Sequence, residues 1–380
     1  MIPSVGDVTL ADMLRDPYPI YDRLRREAPV ARLGATGRVL VTRHADCRSV
    51  RSDPQTFTSV DKGTPAEKAF RATTMMRRDG PPHAEERRAM QPALAARLVD
   101  RPWREAYRHH AALALEALRP GMSIDLLPLL GDWAGAGLAK VIGLEASGAT
   151  MAAWSQALID GAGNLADDPA VWARCEAAND AVDAAIDRAW PGPQGSMLAA
   201  MVEAGAELAR VRCNIKVVIG GGINEPRDAA ATAIFALLTN PDQLAKVREE
   251  GLWGAAFEEA IRWVAPIQTS PRRTTRAVTL GGVDLPAGTS LSLVQASANR
   301  DAAVWAEPDR FDVARGAKGH QAFSGGAHFC MGAHLSRMAV GEVLLPMLWE
   351  RAPSLALPDP DAVPWYGFTF RGPTALQVTV

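Results

Sequence analysis

A cysteine in a glycine-rich loop is the strongest chemical signal in this chain of 380 residues. The stretch FSGGAHFCMGAHLSR, residues 323–337, presents Cys330 just before a helix that we predict to begin near Met331. A thiolate at a helix N-terminus is stabilised by the helix dipole and by free backbone N–H groups. The glycines of this stretch let the backbone approach a flat, bulky ligand. The pattern therefore indicates a ligand-binding thiolate, and the alternative is a buried free cysteine in a tight turn.

A second unusual stretch, VVIGGGINEPRDAAATA at residues 217–233, places helix-breaking residues inside a long apolar segment. Pro226 has no N–H group and crowds the carbonyl of Gly222, four residues back. The three consecutive glycines tolerate a distorted backbone and leave room for a ligand. We predict a locally opened helix here. The alternative is a new helix that begins at this point, with Asn224 as its N-cap and Pro226 in its first turn.

The elements that position these two stretches are mostly helical. From about 84 to 265 the chain is rich in Ala and Leu, with turn signals only at short runs of Pro and Gly. Residues 30–43 alternate with period two and predict a β-hairpin, residues 274–298 have strand character, and residues 365–380 read as a second hairpin. The sequence therefore predicts a mainly α fold with small β-sheets, in a single domain over residues 1–380.

Composition disfavours several classes of function. The net charge is −2, which indicates neither a nucleic-acid partner nor an anionic membrane. The four cysteines lack CxxC and CxxCH spacing, which disfavours zinc ribbons, thioredoxin-type sites and covalently attached haem. No signal peptide is recognisable, and charges interrupt the apolar stretch 126–144 at Asp132 and Lys140. We predict a buried helix there, no membrane span, and a cytoplasmic protein.

The cysteine stretch closely resembles the haem-binding loop of the cytochrome P450 family. The family pattern is Phe, two residues, Gly, three residues, Cys, one residue and Gly. This chain supplies Phe323, Gly326, Cys330 and Gly332 at those places. The resemblance implies that Cys330 is the axial thiolate ligand of the iron of haem b, and that His328 binds a haem propionate. One departure is Ser324, because the family usually has glycine directly after the phenylalanine.

Two stretches upstream of the cysteine support the same resemblance. EEAIRW contains Glu259 and Arg262 in the family's Glu-x-x-Arg arrangement, although this spacing alone is common on helix surfaces. AEPDRF supplies Arg310, which the resemblance makes the third member of a buried Glu-Arg-Arg network. Such a network is structural, since its buried charges must satisfy one another.

Two further stretches supply candidates for the haem propionates. DGPPHAEERR, residues 79–88, resembles the start of the family's helix that borders the haem, with His83 and Arg87 on one helical face. The alternative is a helix that begins at proline and carries solvent-facing charges. SPRRTTRAVTLGG matches the strand that carries a propionate-binding arginine in the family. This residue is Arg272, with Arg273 as the alternative.

The glycine-rich stretch corresponds, by the same resemblance, to the family's distal helix, whose usual sequence is Ala-Gly-x-(Asp/Glu)-Thr. Counting back from the helix end at 236–241 places Asn224 at the acid and Glu225 at the threonine. A carboxyl group near apolar walls has a raised pKa, which suits proton transfer near neutral pH. We therefore predict that Glu225 relays protons and that Asn224 orients water or the helix groove. The alternative is a structural ion pair of Glu225 with Arg227 or Arg212.

The resemblance covers essentially the whole chain and implies a triangular helical fold, with haem between a distal helix and a proximal cysteine loop. It implies a bacterial-type monooxygenase that inserts one atom of O₂ into a small organic substrate, by hydroxylation or oxidative dealkylation. A separate ferredoxin or flavodoxin with an NAD(P)H-dependent reductase would supply electrons, since no reductase segment is recognisable. The alternatives are an H₂O₂-driven peroxygenase, suggested by the missing threonine, and a non-catalytic haem-binding or sensor protein. Candidate pocket segments are about 60–78, the glycine run and 265–271.

Overall fold

A computed structural model describes residues 1–61 and 63–380, and helices dominate it. The helices are α1 (Leu10–Arg15), α2 (Tyr18–Glu27), α3 (His44–Ser52), α4 (Pro65–Ala69), α5 (Gly80–Met90), α6 (Ala96–Leu98), α7 (Arg104–Leu115), α8 (Leu126–Ile142), α9 (Gly148–Ala162), α10 (Pro169–Ala189), α11 (Met197–Glu203), α12 (Leu208–Thr239), α13 (Pro241–Glu250), α14 (Trp253–Trp263), α15 (Gln295–Ala298), α16 (Ala333–Ser336) and α17 (Leu345–Arg351). Short 3₁₀ turns lie at Met75–Arg77, Gln91–Leu94 and Gly326–His328, and π-helical segments at Val99–Trp103 and Arg337–Leu344.

The strands form one larger sheet and three pairs. They are β1 (Ser4–Val5), β2 (Val30–Leu33), β3 (Val39–Val41), β4 (Phe57–Thr58), β5 (Ser123–Asp125), β6 (Thr269–Thr274), β7 (Val278–Leu280), β8 (Val283–Leu285), β9 (Ser290–Val294), β10 (Trp365–Tyr366), β11 (Gly372–Pro373) and β12 (Gln377–Thr379). The larger sheet has the order β1-β2-β3-β9-β6-β4. The hairpin predicted for residues 30–43 is confirmed, with Val30 opposite Val41.

The predicted C-terminal hairpin over residues 365–380 is only half right. Strands β10 and β11 pair in antiparallel fashion, as predicted. The last strand, β12, pairs instead with β5, and the side chain of Asp125 accepts a hydrogen bond from the backbone of Leu376. Val378 of β12 is fully buried, so this strand closes the apolar core. Apolar burial against a distant strand therefore decides its partner.

Helix α12 runs through the largest apolar cluster and packs against α8, α9 and α14. Its neighbour α8 coincides with the predicted buried helix over residues 126–144, and Leu126, Trp133 and Leu138 are buried in it. The prediction of a buried helix is confirmed. Over residues 1–61 and 63–380, every helix is too short or too polar to cross a membrane.

The backbone of α12 differs from the prediction. It is one helix of 32 residues, and Pro226 lies inside it. The predicted opening of the helix is therefore wrong, and so is the alternative start at Asn224. Pro226 removes one hydrogen bond to the carbonyl of Gly222. Packing keeps the helix continuous, because Gly222 lies so close to α8 that a Cβ there would be 2.8 Å from Leu138.

Candidate active site

Cys330 lies in a tight loop that precedes a helix. We call residues 323–332 the cysteine loop. The Cys330 backbone N–H donates to the Phe323 carbonyl at 2.9 Å, which closes the loop around the 3₁₀ turn Gly326–His328. The helix begins at Ala333, two residues later than predicted, with Gly332 as its N-cap. The backbone N–H of Gly332 donates to the Cys330 sulfur. The loop therefore presents the sulfur at a helix N-terminus, as the sequence predicts.

The Cys330 side chain is accessible, whereas Cys47, Cys175 and Cys213 are buried. Protein nevertheless surrounds its thiol, and burial raises the pKa, with a smaller contribution from the charge of Glu225. The Gly332 hydrogen bond and the charge of Arg87 act in the opposite direction. A group that is both accessible and desolvated borders an internal space. A metal ion is what would hold this thiol as a thiolate at neutral pH.

Two residues of the cysteine loop have left-handed backbone conformations. Gly326 has φ +63°, and a Cβ there would be 2.6 Å from the carbonyl of Arg51 on α3. The close approach of this carbonyl, together with the positive φ, requires glycine at this position. Ser324 has φ +61°, at the position where the family usually has glycine. The departure from the family pattern falls on a residue whose conformation favours glycine.

The glycines of α12 have different roles. A Cβ at Gly220 would be 3.2 Å from Ile159 of α9, and one at Gly222 would contact α8, so both glycines serve helix packing. Gly221 between them is exposed, although it lies in the middle of a largely buried helix. A Cβ at Gly221 would lie 3.7 Å from the Glu225 carboxylate, and the charge of Glu225 acts on the Cys330 thiol. The exposed glycine, the carboxyl and the accessible thiol therefore lie in the same region of the molecule.

Asn224 and Glu225 are unpaired polar residues on this helix. Both polar atoms of the Asn224 side chain and both carboxylate oxygens of Glu225 are buried and have no hydrogen-bond partner among the described residues. Arg227 binds Asp228 at 2.7 Å, and Arg212 binds Asp187. The predicted alternative, a structural ion pair of Glu225 with one of these arginines, is therefore wrong.

Burial of the Glu225 carboxyl raises its pKa to about 8. The polarity of the nearby backbone N–H of Glu225 and the charge of Arg227 oppose the shift, and the charge of Asp228 adds to it. The group is therefore mostly protonated at neutral pH and can donate a proton. Unpaired buried polar groups are rare in native proteins and require a physical reason. A site for water or a ligand beside α12 would explain why these polar groups have no partner among the described residues.

The helix that the sequence assigns to a haem border is α5, and it begins at a proline as predicted. His83 on this helix is buried, and its ring lies 4.1 Å from that of His328 in the cysteine loop. Burial, together with the nearby His328 and Arg87, lowers the pKa of His83 to about 4. Arg87 donates to the carbonyl of Phe329 at 2.9 Å. The structure thus brings His83, Arg87 and His328 together.

His328 is held by hydrogen bonds. Its Nε2 lies 3.0 Å from Asp79 and 2.9 Å from the hydroxyl of Ser59. Although burial opposes the effect, hydrogen bonds from His328, Thr58 and Ser59 keep the pKa of Asp79 well below its usual range. Asp79 therefore remains ionised and orients the imidazole, which leaves Nδ1 for another partner.

On the sheet side, Arg272 is buried and Arg273 is exposed, so Arg272 is the arginine of β6 that faces the interior. Arg272 donates to the carbonyl of its neighbour Pro271. Burial lowers its pKa to about 10, and the charges of Arg51 and Arg77 contribute. We call Arg51, Arg77 and Arg272 the cation cluster. The cluster is suited to anions, since its three guanidinium groups repel one another.

The buried ionic network differs from the prediction in one member. Glu259 and Arg262 form the predicted pair, with distances of 2.7 and 2.8 Å. The third member is Arg315, whose Nε lies 3.0 Å from the Glu259 carboxylate. The prediction of Arg310 is wrong: its side chain is 55% exposed and binds Glu307. Only the Arg310 carbonyl takes part, accepting hydrogen bonds from Arg262 and Arg315.

These residues fit a haem group. Haem requires an axial ligand for its iron and partners for two propionates. The accessible thiol of Cys330 can supply the iron ligand. The propionates can be bound from two sides by the side chains of His83, Arg87, His328 and Arg272. Gly221 presents bare backbone where a side chain would occupy the space, and the free polar atoms of Asn224 and Glu225 lie on the same helix.

Comparisons with known proteins agree. The family model of cytochrome P450 matches residues 203–350, which include α12, the Glu259–Arg262 pair and the cysteine loop. The chain is 28% identical to cytochrome P450 CYP199A2 of Rhodopseudomonas palustris, over 94% of this chain and 90% of that protein. It is 29% identical to the cytochrome P450 monooxygenase PikC of Streptomyces venezuelae, over 97% and 92%. The chain belongs to the cytochrome P450 family. The P450 monooxygenase TamI in its tirandamycin C-bound form superposes with a TM-score of 0.88 at 26% identity, covering 99% of each chain.

This P450 is therefore an oxidoreductase of the monooxygenase type, and haem b is its cofactor. The predicted fold, mainly α with small β-sheets, is confirmed. The relatives include bacterial proteins named as a monooxygenase, a 6-deoxyerythronolide B hydroxylase and a vitamin D(3) 25-hydroxylase.

Sequence reasoning missed several residues around the site of this P450. Those that the structure adds are Arg51, Ser59, Arg77, Asp79 and Arg315. Asp79 offered a signal, because it lies four residues before His83 at the start of the haem-border helix. Arg51 and Arg77 offered none, since isolated arginines in a charged chain are common and their burial depends on distant elements.

Proposed function

We propose that this P450 inserts one oxygen atom from O₂ into a small organic substrate, by hydroxylation or oxidative dealkylation. One observation carries the proposal: the accessible Cys330 thiol and the carboxyl of Glu225, which has no hydrogen-bond partner among the described residues, lie close enough for the Glu225 charge to affect the pKa of the thiol. A thiol that can ligate iron then lies near a group that can transfer protons. We further propose that residues 1–380 act as one haem domain.

Particular residues would hold the haem. Cys330 would ligate the haem iron, and Phe323, Gly326 and Gly332 shape its loop. Phe323 packs against Phe257 of α14, and its carbonyl holds the Cys330 backbone. When bound, a thiolate-ligated haem supplies the binding and reductive activation of O₂.

The propionates would bind His83, Arg87 and His328 on one side and Arg272 on the other. These groups are buried or partly buried and keep donors for an anion, which supports this assignment. Asp79 would position the His328 imidazole through its 3.0 Å hydrogen bond.

Glu225 would deliver protons during turnover. Its carboxyl holds a proton at neutral pH, because burial raises its pKa to about 8. It can therefore donate from a carboxylate oxygen and be reprotonated from water. Asn224, one residue earlier, has a free amide donor and a free carbonyl acceptor with which to orient that water.

Electrons would come from a separate ferredoxin or flavodoxin with its NAD(P)H-dependent reductase. Reconstitution with such a pair tests this partner class, because NADH consumption should depend on both proteins. The substrate would be a small organic molecule that reaches α12 past the predicted pocket segments. Of the segment at about 60–78, Lys62 lies outside the described residues.

The Cys330→Ser substitution tests the central assignment. We expect the red-shifted absorbance of the reduced CO complex to disappear, because this shift requires a thiolate ligand. Cys213→Ser, at a buried cysteine on α12, is the matched control and should keep the red shift. A Cys330→Ser protein with an unchanged spectrum would refute the ligand assignment.

The Glu225→Gln substitution tests the proton path. We expect less product per NADH consumed, since the amide cannot donate an acidic proton, while Glu225→Asp retains part of the coupling. Unchanged coupling in the glutamine variant would remove Glu225 from the path.

A second candidate function is an H₂O₂-driven peroxygenase. The free carboxyl at position 225, where the family usually has threonine, favours it, because a carboxyl can act as an acid or a base toward peroxide. Turnover with peroxide alone that exceeds reductase-supported turnover would establish this alternative.

A further inference from the structure

Arg77 is a half-buried arginine whose side chain is bound by none of the residues that the structure describes. It ends the 3₁₀ turn Met75–Arg77, between α4 and α5. Its Nε atom is fully buried and makes no hydrogen bond, and no ion pair of its guanidinium is found within residues 1–61 and 63–380. The side chain keeps a little accessible surface although protein encloses it, so its free end borders an internal space.

The charged groups nearest to Arg77 are already engaged. Asp61 binds Arg38 at 2.8 Å, and Glu67 accepts hydrogen bonds from Thr73 and from the Gly63 backbone. The other neighbours are cations: Arg38 lies close to Arg77, and Arg77 in turn acts on Arg272.

Arg77 is charged despite this environment. Burial lowers the pKa of the guanidinium to about 10, so it keeps its proton at neutral pH. A buried charge without a partner is strongly unfavourable, and natural proteins pair such charges. The fork of two parallel N–H donors on arginine matches a carboxylate in a bidentate arrangement.

We propose that Arg77 binds a carboxylate that does not belong to the protein. This inference rests on the proposed function and adds a ligand class to it: an organic acid substrate. A haem propionate presents the same chemistry, so the experiment must distinguish the two sources.

The position of Arg77 connects it to a route from the surface. A cleft of about 670 Å³ lies between the loop that contains α4 and the segment between α9 and α10, and Glu67, Lys68, Arg71 and Trp172 are among its lining residues. The charge of Glu67 acts on Arg77, so Arg77 lies near this cleft. The two cations that line the cleft are already paired, Lys68 with Asp167 and Arg71 with Glu176 and Asp180. Among the described residues near this route, Arg77 therefore offers a guanidinium whose charge is not neutralised by an ion pair.

The test compares haem-loaded wild-type protein with Arg77→Gln and with Arg77→Lys, which keeps the charge and loses the fork. Arg273→Gln, at an exposed arginine of β6, is the matched control. The probes are 4-ethylbenzoate and decanoate, each alongside its uncharged methyl ester, with binding measured by calorimetry and by the shift of the haem absorbance. A parallel assay measures the rate of haem transfer to excess apomyoglobin.

If a substrate supplies the carboxylate, Arg77→Gln weakens binding of an acid at least about tenfold, equivalent to about 1.4 kcal/mol, and leaves the ester unchanged. If a propionate supplies it, acid binding is unchanged and haem release is at least about tenfold faster. Arg77→Lys gives a smaller change in acid binding or in haem release, respectively. If Arg77→Gln fails to fold, the same comparison is made with Arg77→Lys. Arg273→Gln behaves like the wild type.

Two results would overturn the proposal. In the first, the acid affinity and the haem-release rate of Arg77→Gln both stay within about twofold of the wild type. In the second, the wild type does not bind the acids, and haem release from the variant is unchanged. The reduced CO spectrum of the same samples tests the proposed function separately. A normal thiolate spectrum with no effect of Arg77 leaves the monooxygenase assignment intact.

Discussion

The buried carboxyl of Glu225 has a consequence for stability that can be measured without a substrate. Its pKa is about 8 in the folded protein against an ordinary value of 4.5. Between these values the folded protein binds the proton more tightly than the unfolded chain does. The contribution of this group to the free energy of unfolding is therefore fully present below about pH 4.5. It falls as pH rises and levels off above about pH 8.

The magnitude follows from the shift. One unit of pKa corresponds to about 1.4 kcal/mol, so titration of Glu225 should lower the free energy of unfolding by about 3 kcal/mol between about pH 5.5 and about pH 8.5. Glu225→Gln removes this titration. The stability of the variant minus that of the wild type should therefore increase by about 3 kcal/mol across the same range.

Urea unfolding of the haem-loaded proteins at several pH values, followed by circular dichroism, gives these differences. Glu203→Gln, at an exposed position at the end of α11, is the control and should show a difference that is independent of pH. Because haem is present in all samples, its contribution cancels in the comparison. A Glu225→Gln difference that stays constant with pH would refute the argument that burial keeps this carboxyl protonated.

Four further substitutions test the ionic network, the backbone conformation at Ser324 and the packing of α8. Arg315→Met should lower the free energy of unfolding by about 3 kcal/mol, because it leaves Glu259 with an incompletely neutralised buried charge. Arg310→Met should change the free energy of unfolding by less than about 0.5 kcal/mol. Equal effects of the two substitutions in urea denaturation would contradict the corrected network. Ser324→Gly should stabilise the protein by about 1 kcal/mol, since φ is +61° there, and an unchanged or lower melting temperature would argue against this strain. Gly137→Ala should destabilise by about 2 kcal/mol, as its Cβ would lie 2.4 Å from the ring of a buried tyrosine on α7; a neutral effect on the melting temperature would show that the contact relaxes.

The chemistry of the cysteine loop is largely local, and the sequence predicted it well. Phe323, Gly326, Cys330 and Gly332 lie within ten residues, so their spacing alone determines the turn and the direction of the thiol. The same holds for Glu259 and Arg262, three residues apart on one helix. Short-range geometry of this kind depends on backbone rules that operate within one turn or one helix.

Other parts of the site depend on contacts between distant segments. The choice of Arg315 over Arg310 depends on which way a loop turns its side chains toward α14, and both arginines fit the sequence pattern equally well. The continuity of α12 across Pro226 is a further example, because packing against α8 and α9 outweighs the local preference for a break.

The sequence by itself determined the axial ligand candidate, the order of the motifs, the mainly helical class and the unusual pair Asn224–Glu225. Only the tertiary structure decided that Glu225 has no hydrogen-bond partner among the described residues, that Arg272 and not Arg273 faces the interior, and that Arg77 lies half-buried near other cations. The physical reason is that a residue type and its spacing specify what a side chain can do. Its burial and its partners, which set its charge and its pKa, come from segments that are far away in the chain.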